Sequence, residues 1–173
     1  PIREAIRMLE QEGLAVTIPR KGAEVADITE KSLRDVLEVR KALEELAVQL
    51  ACDKITKEEI EEMKKAAEDF KKILKSKDIT EIAEADVRFH DIIYMATDNQ
   101  KLIQLLNNLR EQMYRYRVEY LKREEAHPQL IAEHAAIIEY ISKGEKKAAT
   151  DIMCKHIDNQ VTTVIDVIRT KQN

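Results

Sequence analysis

The chain has 173 residues, 44% of them hydrophobic and 36% charged, with a formal net charge of −4. Three glycines and three prolines are too few for a turn-rich all-β fold. No apolar run approaches the ~18 residues of a membrane helix, and Cys52 and Cys154 do not make a disulfide scaffold. What is left is a set of amphipathic helices in a reducing, cytoplasmic setting, in which any contact with nucleic acid comes from a local patch and not from overall charge.

The chain opens on Pro1-Ile2-Arg3-Glu4 with no methionine, which reads as a piece of a longer protein. Residues 1–12 predict a short helix, with Ile2, Ala5, Ile6 and Leu9 at helical spacing and Arg3 and Arg7 four apart on another face. Gly13 ends it. Two β-prone runs, 14–18 and 23–25, flank Pro19-Arg20-Lys21-Gly22 and predict a hairpin with Arg20 and Lys21 at its tip.

No glycine or proline then intervenes until Pro128, so a boundary is expected near residue 26, giving pieces of 1–26 and 27–173. The second piece predicts six helices. The first begins at Asp27-Ile28-Thr29-Glu30, which reads as a capping box, and Thr56-Lys57-Glu58-Glu59 opens the second. A third starts at Asp78. A fourth runs from Asp98-Asn99 to about Arg123 on Leu102, Leu105, Leu109, Met113 and Tyr116. Pro128 suits the first turn of the fifth, Gly144 ends it, and the sixth fills 145–170. Short connections make this an all-α, antiparallel bundle.

Polar residues interrupt the apolar stripes in a telling way. Asp86 and His90 share a face with Ile82, Phe89 and Ile93; His134 sits among Leu130, Ile137 and Ile141; His156 sits among Ala149, Ile152, Met153 and Val164. A buried carboxylate is costly unless paired or bound to a cation. Asp86 and His90, one turn apart, can grip one ion, which His134 and His156 close from two other helices. Such a set suits zinc, nickel, manganese or iron, with zinc or nickel favoured. The alternative is a metal-free core hydrogen-bond network. Arg117 lies close to the fourth helix's apolar stripe, where an arginine beside a metal would recognise a small carboxylate. Asn159 and Gln160, near His156, are candidates to orient the same ligand. Arg110 and Arg115 read as solvated, the tyrosines as packing residues, His127 as exposed, and Glu133 as about 100° round the helix from the site.

Pro1 to Leu14, then Pro19-Arg20-Lys21-Gly22-Ala23-Glu24-Val25, resembles the recognition helix and wing of a GntR-family winged helix-turn-helix. The rest resembles the FCD ligand-binding domain of the FadR subfamily, through Leu37-Glu38-x-Arg40-x-x-Leu43-Glu44, Asp86-x-x-Phe89-His90, Asn99, Glu133-His134 and His156. The resemblance implies a dimeric bacterial transcription regulator, not an enzyme. Its helical domain would bind a divalent cation through Asp86, His90, His134 and His156 and a small carboxylate metabolite through residues such as Arg117 and Asn159. Arg3, Arg7, Arg20 and Lys21 would face operator DNA. The first helices of the DNA-binding domain are absent, so specific operator binding is expected only of a longer protein. A metal-dependent hydrolase and a helical interaction module are the rival readings.

Overall fold

The computed structural model describes residues 1–76 and 78–172, without the side chains of Lys171 and Gln172; Asn173, the last residue of the expected second piece, lies outside the described residues. A small N-terminal unit comes first: α1 (Ile2–Gln11), β1 (Ala15–Ile18) and β2 (Gly22–Val25). Gly13, at φ 67°, closes α1 in the left-handed conformation that glycine adopts without a Cβ clash. The strands pair antiparallel with Ala15 opposite Val25, and Arg20 takes a positive φ of 66° in the turn between them.

The bundle follows as α2 (Glu30–Lys54), α3 (Lys57–Ile73), α4 (Ile79–Ala96), α5 (Gln100–Asn108), α6 (Arg110–Leu121), a 3₁₀ turn at Glu124–Ala126, α7 (His127–Ser142) and α8 (Lys146–Gln172). Side chains cap four of the helix starts, the first of them with Thr29 and not with Asp27 of the expected Asp27-to-Glu30 box. Thr29 accepts from the Ser32 amide, Thr56 from Glu59, Asp78 from Thr80 and Glu81, and Asn99 from Leu102. In the first box the reciprocal partner is Ser32. Helix α2 packs chiefly on α8, α3 on α4, and α7 on α8.

Two expectations need correction. The single helix over 98–123 is two, broken at Leu109, so among the described residues the bundle has seven α-helices and not six. The break changes which residues face inward: Leu102 and Leu106 are buried, while Leu105 is 40% exposed and Leu109 half-buried. Asn107 and Asn108, weak helix formers, precede the break, and the Asn107 side chain accepts from Arg110 across it. His127 is not simply exposed. It is half-buried, with Nε2 2.8 Å from the Leu121 carbonyl, and ties the 3₁₀ turn to the end of α6.

Candidate metal centre

Helices α4, α7 and α8 bring the three inward histidines together. His90, His134 and His156 are each at most 1% exposed, and one ring nitrogen from each lies within 4.8 Å of the others. A tetrahedral zinc with Zn–N bonds of ~2.0–2.1 Å needs nitrogens about 3.3 Å apart, so small ring rotations would close the set. Phe89 stacks on His134 with centroids 4.0 Å apart, and Phe70 tilts against it at 5.2 Å, giving the site an apolar wall.

The donor atoms are what make the cluster unusual. Neither ring nitrogen of His90 or His134 has a hydrogen-bond partner, although all four atoms are buried. Buried polar groups are normally satisfied, and each exception calls for an explanation. Two imidazoles with unpartnered nitrogens, beside a third whose Nε2 accepts only from an amide, fit a borderline divalent cation. Burial pushes His90 down to about 4 against the pull of Glu44, and lowers His134 against the pull of Asp86, so both rings are neutral, the form that binds metal.

Asp86 lies beside the cluster but is already engaged. Its Oδ2 is 2.6 Å from Arg117 Nε, and its Oδ1 is 3.2 Å from His134 Nε2 without hydrogen-bond alignment. Against the cost of burial, the Arg117 guanidinium and His134 hold the Asp86 carboxyl well below its usual range. Arg117 is therefore buried, at 3% exposure, and faces the carboxylate. Asn159 donates to Glu133 Oε1 at 2.5 Å.

A surrounding ring of charges was not foreseen. Glu133, expected off the site, is buried and accepts from His156 Nδ1 at 2.9 Å, held in turn by Gln129 and Asn159. That bond places the proton on Nδ1 and leaves Nε2 as an acceptor, here for Gln160 Nε2 at 2.9 Å. Gln160 accepts from Arg40 Nη1 at 2.8 Å, and Arg40 Nε donates to Glu44 Oε1 at 3.1 Å. Tyr94, read as a packing residue, also donates to Glu44, at 2.5 Å. Glu44 Oε1 stands 3.6 Å from His90 Nδ1, too far for a hydrogen bond. Despite burial, the Arg40 guanidinium and the hydrogen bond from Tyr94 help hold the Glu44 carboxyl below its usual range. The sequence did carry a signal: 33, 37, 40, 44, 47 and 51 share one face of α2, with two charges set in an apolar stripe.

The other arginines also find partners. Arg110 pairs with Asp91 through both terminal nitrogens, at 2.7 and 3.2 Å, and Arg115 donates to the Ala26 carbonyl. Both were expected to be merely solvated. Arg3, Arg7, Arg20 and Lys21 are exposed, and make no ion pair among the described residues. A crevice of only about 10 Å³ reaches His90 and Arg117 beside Tyr94 and Met113. A groove of about 350 Å³ between α3 and α7 reaches His134 past Phe70.

Against known families, the FCD domain matches residues 35–159. The chain belongs to the FCD-domain family. GntR-type transcriptional regulators are its company in sequence and fold. It is 29% identical to the HTH-type transcriptional regulator YdhC of Bacillus subtilis over 92% of this chain and 71% of that one. To the gluconate operon transcriptional repressor of Bacillus subtilis it is 25% identical, over 99% and 72% of the two chains. In fold, the FCD chain resembles E. coli McbR/YncC with a TM-score of 0.82 at 17% identity, over 99% and 84% of the two chains. It also resembles the metal-free FCD domain of TM0439, with a TM-score of 0.69 at 25% identity over 84% and 99%. No helix of the described residues is long and apolar enough to cross a membrane.

Proposed function

We propose that this FCD chain is the sensing part of a GntR-family regulator of the FadR subfamily, whose bundle holds a divalent metal and a small carboxylate effector that together adjust operator binding. One observation carries the reading: three buried imidazoles converge, and both ring nitrogens of His90 and of His134 lack hydrogen-bond partners. His90, His134 and His156 would hold the ion, with Asp86 as the adjacent carboxylate. Zinc, nickel, manganese and iron all suit such donors, zinc or nickel best. When bound, the ion supplies a Lewis-acid attraction for a carboxylate.

The chain's own residues do the rest. Glu133 fixes the His156 tautomer. Arg117 and Asn159 are the polar side chains placed to orient a carboxylate, once their present partners, Asp86 and Glu133, share them. The narrow crevice at Arg117 means that an effector must part α4 from α6, which is how its binding energy would favour one conformation over another. In a longer protein carrying the remainder of the winged helix-turn-helix, Arg3 and Arg7 on α1 and Arg20 and Lys21 on the wing would meet DNA. A homodimer would set half-sites about 34 Å apart.

A second reading, a metal-free polar core, is favoured by the Asp86–Arg117 pair, which neutralises the carboxylate with no ion. Elemental analysis of the purified chain, paired with thermal melts with and without EDTA, separates the two. The metal reading expects about one ion per chain and a melting temperature that drops on chelation. No ion and no shift, even after adding each metal back, would leave the metal-free core.

A further inference from the structure

Among the described residues, two polar contacts join residues 1–26 to the bundle, and both come from α6: Arg115 to the Ala26 carbonyl, and Gln112 to Glu12 at 3.5 Å. The same helix carries Arg117, whose guanidinium is 2.6 Å from Asp86 beside the histidine cluster. Positions 115 and 117 are about 200° apart around a helix, so one points outward where the other points in. Helix α6 is also short and mechanically separate. It starts after the break at Leu109 and ends in the 3₁₀ turn. On its outer side the segment Val25–Thr29 is not packed solid. A crevice of about 550 Å³, with Arg115 on its wall, lies between it and Val164, Val167 and Ile168 of α8, leaving room for the segment to move.

We propose that α6 is the element that carries the state of the buried site to the DNA-binding piece, with Arg117 as its inner contact and Arg115 as its outer one. The proposal rests on the metal reading above and names the path by which that site is felt. Asp86 has two possible cationic partners, Arg117 and an ion among the imidazoles. A change in how tightly Asp86 holds Arg117 moves a helix whose far face grips the linker carbonyl. Arg115 is thus a coupling residue, with no contact to the metal ligands.

The test uses the full chain, zinc ion as the probe, and two readouts. Calorimetry follows zinc uptake, and hydrogen exchange follows peptides covering 22–29 and α6. In the wild-type chain, zinc is expected to change exchange in both segments by about twofold or more. In Arg115→Ala, zinc affinity should stay within about twofold of wild type and the α6 change should persist, while the 22–29 change disappears. Arg115→Lys, which can still donate to the carbonyl, should restore part of it and guards against a general folding defect. Zinc uptake with no wild-type change at 22–29, or a change that survives in Arg115→Ala, overturns the lever and leaves the metal reading intact. Absence of zinc uptake overturns both, and calorimetry reports that separately.

Discussion

Glu133 shows how much one side chain can decide. Its carboxylate holds the proton of His156 on Nδ1, so Nε2 carries the lone pair, which here accepts from Gln160. Partners of this kind typically contribute 10–100-fold to metal affinity, so Glu133→Gln should weaken zinc binding by about that factor in calorimetry. Unchanged affinity would show that the tautomer is set elsewhere. Arg40 and Glu44 pose a different question. Both are at most 1% exposed, and removing one charge strands the other. Arg40→Met should cost about 3–5 kcal/mol in urea unfolding, while a cost below about 1 kcal/mol would mean that Glu44 protonates and is content with Tyr94.

The histidines were legible because a helix repeats every 3.6 residues, and His90, His134 and His156 break an apolar stripe on that period. Glu133 was not. Its Cα does sit round the helix from His134, but a glutamate side chain is long enough to swing its carboxylate back. Arg40 and Glu44 were legible by the histidines' own rule, yet charges four apart on a helix read first as a surface pair.

At the scale of elements, side-chain caps mark the starts of α2, α3, α4 and α5. Thr56 caps α3 in a reciprocal box with Glu59, whose carboxylate accepts from the Thr56 amide at 2.8 Å. Thr56→Ala should lower stability by about 1 kcal/mol by chemical denaturation, with no effect on metal uptake. A neutral result would mean that packing alone holds the start of α3. The break at Leu109 was hidden because it uses neither glycine nor proline. Asn107 and Asn108, weak helix formers, lie just before it, and the chain restarts at Arg110 as the helix that carries Arg117 to Asp86 on α4. A period-based reading carries Leu105 and Leu109 forward as core across a kink that it does not see.

Across the whole molecule, the buried charges set a pH response. In EDTA, the unfolded chain takes up histidine protons near 6.5, while burial holds folded His90 near 4 and lowers His134. Between those values the unfolded state binds more protons, so stability falls as pH drops from about 6.5 toward about 4. Glu44 and Asp86, held low in the fold, contribute stability above their unfolded values that is lost on further acidification. The urea midpoint in EDTA should therefore be lower at pH 5.5 than at pH 7.5, with an unchanged slope. Equal midpoints would show that the histidines are solvated in solution.

The N-terminal unit has a calorimetric consequence. Ile2, Met8, Leu9, Val16 and Val25 are 44–79% exposed, and α1 has no buried residue. A segment that buries so little apolar surface releases little heat-absorbing contact when it melts. At about 0.7 kcal/mol per residue near 60 °C, the bundle alone accounts for roughly 100 kcal/mol. The transition of this chain should show that enthalpy and not the larger value its full length would give, with residues 1–26 lost as a sloping baseline before the peak.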